Sequence, residues 1–510
     1  MKIERTKNAA RNMVWGVIEK IIAIILPFTT RTILIKVLGA EYLGLNSLFT
    51  SILQVLNISE LGISSAIVFS MYKPIAEDDN DLLCALLNLY KKIFIVIGTI
   101  ILVAGLVIVP FLPNLISGEN NTDVNIYVVY LIYLSNTVLS YYLFAYKQAL
   151  FSAFQRNDLM SKRSTIVSFF ASSLQIVFLL LFKNYYIYVL VIPLATILTN
   201  ILNAVIANKI YPQIQCRGKV PENEIKGIKK RVVGLISYKI YGVVYTSVDV
   251  IVISAFLGLV PLAIYNNYFY VQSAILGFLA IITSSITAGV GNKMITNSKE
   301  DNYKDFMNFT FANGWIVSWC AVCLTTLYQH FMRTWVGDDL TFPFSIMILF
   351  VLYFYLSRVT NMTFTYRAAA GLWWEDRFRP LVLTAVNLFL NLVLIRIIGM
   401  YGVLLSTVFC TVFISVPWGT IILFKKYFEK SPKAYFKRII LYVFVTSVVS
   451  AFTLLLCDFL PSKGWDILIV KGIICLIIPN ILFWIILRNI KEYSYMVVLA
   501  NRLRNKILAR

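Results

Sequence analysis

Charge is scarce in this chain: Asp, Glu, Lys and Arg make up only 14% of its 510 residues. A soluble globular protein carries about 25%. Nowhere do 40 consecutive residues read as soluble, which leaves no room for a separate catalytic domain. Histidine is almost absent, with His330 alone. The seven cysteines are scattered, and only Cys320 and Cys323 fall as C-x-x-C, inside an apolar run without zinc partners. A metal or redox centre is therefore not expected, and these cysteines read as small packing residues. No G-x-x-x-x-G-K-[ST] pattern occurs, so no nucleotide-driven motor is expected. The first apolar run, from about Met13, carries no A-x-A cleavage pattern and is expected to stay as the first helix.

What the chain has instead is apolar length. Hydrophobic residues make up 59%, gathered into runs of bilayer-crossing length, which takes about 20 residues. The runs predict an all-α polytopic membrane protein of about fourteen transmembrane helices. They are expected at 13–35, 43–70, 92–113, 125–145, 164–182, 185–207, 234–257, 264–290, 306–329, 343–365, 380–398, 401–424, 439–460 and 467–487. The net charge of +21 is no nucleic-acid signature, because the basic residues fall in alternate loops. The side of both termini holds 38 of the 46 Lys and Arg, Lys20 and Lys239 counted with their nearer loops, and the opposite side holds six, Arg396 and Lys471 counted likewise. That asymmetry places both termini in the cytoplasm. The longest loop, about 208–233, is basic, and it and the tail 488–510 are expected against anionic headgroups.

That loop falls after six helices and invites a search for an internal repeat. An offset of 219 residues aligns Leu38-Gly39 with Leu257-Gly258, Leu43 with Leu262, Lys20 with Lys239, and Lys147-Gln148-Ala149 with Tyr366-Arg367-Ala368. The helix boundaries coincide as well. The domain plan is an N-terminal six-helix lobe at 1–218, a second at 219–430, and two extra helices with a basic tail at 431–510. Two such bundles around a central cavity suit a transporter working by alternating access.

The stretch 31–81 contains Leu38-Gly39, Tyr42, Gly44-Leu45, Glu60-Leu61-Gly62 and Tyr72-Lys73-Pro74. A second block runs from Gly371 to Pro380, followed by Asn387, Asn391, Gly399 and Gly402. Both resemble bacterial polysaccharide and oligosaccharide flippases of the multidrug, oligosaccharidyl-lipid and polysaccharide exporter superfamily. The resemblance implies a flippase, not an enzyme, that moves an undecaprenyl-diphosphate-linked sugar repeat to the outer leaflet of the cell membrane. The bilayer and a polysaccharide polymerase machinery would be its partners.

Ionisable residues inside apolar spans cost about 2.5–3.5 kcal/mol each near a helix centre. Among those present are Glu19, Lys20, Arg31, Glu60, Lys239, Asp249 and Arg358. Arg31, Arg358, Lys239 and Lys20 are candidates to bind the diphosphate or acidic sugars, since a guanidinium offers paired charge-assisted hydrogen bonds. The blander reading has the lysines snorkelling to the interface and Arg31 in an ion pair. Asp249 and Glu60 are candidates to couple transport to Na+ or H+, or else to act structurally, with Glu60 beside a break at Gly62. No cofactor is expected. Pro27, four residues before Arg31, would kink the first helix and gate it. Arg377 and Arg379 lie in Glu375-Asp376-Arg377-Phe378-Arg379-Pro380, which reads as a latch or as an ordinary helix start. Tyr133, mid-span, is a candidate to stack on sugar rings.

Three rival functions remain, one of them a peptidoglycan-precursor flippase of the same superfamily, whose cargo would differ only in the sugar and peptide. A multidrug or cation antiporter would want an acidic cavity, and here the in-span bases match or outnumber the acids. A membrane glycan polymerase would want a sizeable external loop, and the longest expected one, 330–342, spans about a dozen residues.

Overall fold

The computed structural model describes residues 5–60, 62–118 and 122–495. The side chains of certain positions in the first ten residues, at Ser59, and within 230–295, Lys239 among them, lie outside this description. Among the described residues there is no strand. In a bilayer core a backbone can satisfy its polar groups only within helices or a closed barrel. The helices are α1 (Arg5–Val37), α2 (Ala40–Leu56), α3 (Ile63–Ala76), α4 (Asn80–Ile108), α5 (Ile126–Tyr142), α6 (Gln148–Ala153), α7 (Asn157–Phe182), α8 (Tyr185–Ile210) and α9 (Glu222–Leu257). They continue with α10 (Leu259–Thr296), α11 (Lys299–Val336), α12 (Phe344–Val359), α13 (Asn361–Ala369), α14 (Arg379–Ile398), α15 (Met400–Phe409), α16 (Val416–Leu423), α17 (Lys433–Asp458) and α18 (Trp465–Leu487). Among the described residues ten helical spans are long and apolar enough to cross a membrane, or eleven if the bent pair α5 and α6 counts as one. Large apolar side chains such as Phe170, Leu181, Ile397 and Phe459 stand exposed on them, as lipid-facing residues do.

By packing, the chain divides into two compact units, 1–263 and 264–510. In the first, α1 lies along α7, α7 along α8, and α8 along α5, while α2 packs on α9 and α4 on α5. The repeat places α9 at the head of the second half, yet α9 packs here on α2 and α3. The Ser117 amide donates to Ser254 O at 2.9 Å. A Cβ on Gly44 would fall 2.4 Å from Leu259 O, so only glycine permits this approach of α2 to the start of α10. In the second unit α11 is the central strut, with α12, α17 and α18 against it, and α14 pairs with α15.

Several expected boundaries move. The continuous span 43–70 is broken: α2 ends at Leu56, a tight turn covers Asn57–Glu60, and Gly62 takes the left-handed φ of 73° before α3. The span 125–145 ends at Tyr142, and α6 then leaves at 51° to α5, with Phe144 at φ 62°. The loop 208–233 shrinks to 211–221, because α9 begins at Glu222 and carries Lys226, Lys229 and Arg231. That loop is fixed in place: Asn88 Nδ2 donates to Gly218 O at 2.9 Å, and Tyr211 stacks on Phe154 at 4.4 Å, its burial pushing the phenol up to about 12. Likewise α11 runs to Val336, which cuts the opposite loop to 337–343. Before Pro417 the helix widens over Cys410–Ser415. Proline cannot donate to the carbonyl four residues back, and the extra residue per turn absorbs the loss. Pro27, by contrast, sits within an unbroken α1.

The 219-residue repeat is legible in backbone detail. Gly39 and Gly258 both have positive φ, 113° and 91°. The caps of α4 and α11 also correspond: Asp79 accepts from the Leu82 amide and Ser298 from the Asp301 amide.

Candidate functional site

A cavity of about 260 Å³ opens inside the second unit, walled by α10, α11, the end of α12 and α13. Its polar lining is Thr283, Asn313, Arg358, Asn361 and Thr365, and its apolar lining includes Leu279, Val317 and Phe364. Asn313 Nδ2 donates to the carbonyls of Arg358 at 2.9 Å and Val359 at 3.3 Å. This ties α11 to the break at Thr360, where α12 gives way to α13, and so fixes the backbone from which Arg358 projects. Arg358 Nε is buried, and among the described residues nothing accepts from it. A buried donor without a partner costs about 1–3 kcal/mol, so one left at a cavity wall marks a place for an acceptor.

Beside the cavity lies a buried charge cluster. Asp376, 0% exposed, accepts from Arg379 Nε and Nη2, both at 2.8 Å, and pairs with Arg367 Nε at 3.2 Å. Arg379 Nη1 donates to Ser415 Oγ at 3.1 Å. Arg379 and Asp376 therefore form the start of α14 and join it to the widened helix, whereas Arg377 stays local. Its guanidinium stacks on Trp374 at 4.0 Å and on Phe378 at 4.4 Å, and Nη1 donates to Trp374 O at 2.6 Å.

In the first unit Glu60 lies at the break between α2 and α3. Its carboxylate accepts from Ser64 and, at 3.0 Å, from Tyr141, and the Tyr90 hydroxyl donates to Ser64 Oγ at 2.5 Å. Among the described residues no lysine or arginine pairs with it. Arg31 is half-buried on α1. Asp249 on α9 is 5% exposed.

A model of the family described as polysaccharide biosynthesis protein matches residues 9–288, more than half of the chain. The chain belongs to this family. The match includes the first of the two blocks in which the resemblance was read. No curated protein matches the chain by sequence. Among solved structures the fold is similar to that of the lipid II flippase MurJ in an inward closed conformation, at 16% identity and TM-score 0.67, covering 94% of this chain and 99% of that one. It is similar also to an inward-facing multidrug resistance MATE family transporter of the MOP superfamily, at 13% identity and TM-score 0.59, covering 77% and 93%. A MOP superfamily transporter from Pyrococcus furiosus, described as having a binding pocket of reversed polarity, matches at 12% identity and TM-score 0.54, covering 83% and 97%.

In this member of the family the predicted residues are divided between the two units. Arg358 lines the second unit's cavity, while Arg31, Glu60 and Asp249 belong to the first unit. Lys20 is exposed on α1, and Lys239 falls on α9 with its side chain outside the described residues. Pro27 is exposed on α1. Tyr133 is 4% exposed and packs against Phe49, so its ring is core and not a sugar platform. Sequence reading missed Asn313, Asn361 and Thr283. An isolated amide or hydroxyl in an apolar run gives no signal until a cavity shows what it faces. Arg367 did enter the repeat match, but nothing in the sequence joined it to Asp376.

Proposed function

We propose that this protein is a flippase that moves undecaprenyl-diphosphate-linked oligosaccharide from the cytoplasmic to the outer leaflet of the cell membrane by alternating access. The observation that carries this reading is Arg358, a guanidinium whose buried Nε lacks a protein acceptor at the wall of a 260 Å³ cavity beside two carboxamides. Such a lining suits an anionic, hydroxyl-bearing group: the guanidinium takes phosphate or carboxylate, and asparagine both donates to and accepts from sugar hydroxyls. Membership of a polysaccharide biosynthesis family and the fold shared with a lipid II flippase support the lipid-linked cargo.

In this reading Arg31, Lys20 and Lys239 add positive charge along the path, and Pro27, Arg377 and Arg379 take part in gating. The protein works as a transporter and not an enzyme, spanning the membrane many times with both termini cytoplasmic, in keeping with its Lys and Arg distribution. It hands its cargo to polymerase machinery. Glu60 and Asp249 couple the cycle to a Na+ or H+ gradient. A carboxylate held only by hydroxyls, as Glu60 is, can release or take a small cation without breaking an ion pair.

One observation favours a second reading. Both carboxylates lie in the first unit, which would suit a multidrug or cation antiporter, and the fold is shared with a multidrug resistance MATE family transporter. Depleting the protein from its native cell separates the two. Complete lipid-linked repeat units held in the cytoplasmic leaflet, with surface polysaccharide lost, are the expected result. Intact surface polysaccharide with new drug sensitivity would overturn the flippase reading.

A further inference from the structure

The wall of the cavity is built on an unusually short helix. Residues Asn361, Phe364, Thr365 and Ala368 of α13 line the cavity, with the 3–4–7 spacing of one helix face. The opposite face is packed away: Met362, Tyr366 and Arg367 are 0%, 1% and 5% exposed. A nine-residue helix is too short to hold itself, so tertiary contacts must set its position and rotation. Thr360 interrupts it on one side, and on the other the chain turns through Gly371 at φ 69°.

The strongest of those contacts is ionic. Arg367, at the last turn of α13, reaches Asp376 at 3.2 Å, and Asp376 is gripped in turn by both Nε and Nη2 of Arg379. Arg379 continues to Ser415. Arg367 also abuts Gly419, where a Cβ would fall 2.0 Å from its Nη1. Ser415 and Gly419 stand four residues apart, on either side of Pro417, in the widened stretch before α16 and in α16 itself. One carboxylate thus ties α13, α14 and this irregular helix together. The tie lies on the back of α13, and the cavity is on its front.

We propose that Asp376 is a positioning residue for the Arg358 cavity. Through Arg367 it fixes the rotation of α13, and with it the distance between the Arg358 guanidinium and the Asn361 and Thr365 wall. This rests on the reading of the cavity as an anion site. Gly419 belongs to the same device, since any side chain there displaces Arg367. The irregular turn before Pro417 leaves Ser415 and Gly419 on the face that receives the two guanidinium groups.

The test reads the cavity by charge. Asn361→Cys is introduced into the full-length protein in lipid nanodiscs. Its labelling rates with a negatively and a positively charged methanethiosulfonate are compared, after subtracting the parent chain's own cysteines. The ratio of the two rates cancels overall accessibility and reports the field of Arg358. In the parent the negative reagent is expected to react faster by about fivefold or more, as a nearby unpaired cation dictates. Adding Arg358→Ala should bring the ratio close to one; a ratio that stays high would sink the anion-site reading itself. Adding Asp376→Asn should lower the ratio at least about threefold by displacing α13, although losing a carboxylate would by itself raise it, with Asp376→Glu restoring part of the parent ratio. If Arg358→Ala collapses the ratio while Asp376→Asn and Gly419→Ala both leave it at the parent value, the cavity stands and the positioning role is overturned. Gly419→Ala serves where Asp376→Asn does not fold, because it adds one methyl group and keeps every charge.

Discussion

Tyr141 donates its hydroxyl hydrogen to Glu60 Oε2 at 3.0 Å, and Ser64 donates to the same carboxylate. Shifted by the 219-residue repeat, Glu60 becomes Leu279, Ser64 becomes Thr283, Phe94 becomes Asn313 and Tyr142 becomes Asn361. These are four of the residues that line the Arg358 cavity. The two halves have taken equivalent positions in opposite directions. In the first, Glu60 and its partner Ser64 occupy two of them, with Phe94 and Tyr142 at the other two. In the second, they wall an open space beside a guanidinium. The divergence gives each half its own chemistry on a common backbone.

Arg358→Ala should lower export of surface polysaccharide at least about tenfold, the loss expected for one charge-assisted hydrogen bond. Arg358→Lys should retain part of the activity, because a lysine keeps the charge but not the planar fork. Surface polysaccharide in a depleted strain carrying each variant, with membrane abundance measured alongside, checks this. Export at the parent level in Arg358→Ala would remove the residue from the site.

Glu60→Gln keeps the size of the side chain and can still bond both Ser64 and Tyr141, its amide nitrogen donating to one of the two hydroxyls, while removing the charge. Transport in proteoliposomes should then lose its response to an imposed Na+ or H+ gradient with thermal stability little changed. Should the response persist, Glu60 is a structural cap at the α2–α3 break. Asp249→Asn, tested alongside, would then identify or dismiss the second carboxylate.

Arg31→Ala should abolish export with the protein still inserted. Arg31 is only half-buried on α1, so its removal empties no core position. Cell fractionation together with a surface polysaccharide assay reads both quantities. Lost insertion would make Arg31 structural.

Gly402→Ala should destabilise the second unit by about 1–3 kcal/mol through overpacking. Its added Cβ would lie 2.4 Å from Leu394 C and 2.5 Å from Leu394 O, both backbone atoms of the preceding helix. Thermal unfolding in detergent checks this, and an unchanged midpoint would show that the α14–α15 hairpin can open to admit the methyl group.

Much of the fold was legible in the letters. Apolar run length and the scarcity of charge define an all-helical membrane protein, since no other open backbone arrangement survives in hydrocarbon. The repeat could be read from Leu38-Gly39 and Leu257-Gly258 because two of its glycines, Gly39 and Gly258, hold positive φ. Arg358 was singled out because an arginine in an apolar run is costly and needs a reason.

What the sequence could not supply is which polar residues face one another. Asn313 and Asn361 lie 48 residues apart in runs that differ little from their neighbours. Only the crossing of α11 with the α12–α13 break turns them toward one space. Asp376, set in a motif readable as a simple helix start, is fully buried between two arginines, because α13 folds back to bring Arg367 to it. Tyr133 looked like a sugar platform, and packing made it core. Composition and periodicity are properties of the chain and decide what each segment must be. A site is a property of side chains distant in sequence, and those meet only when helix packing fixes rotation and crossing angle, which no single segment encodes.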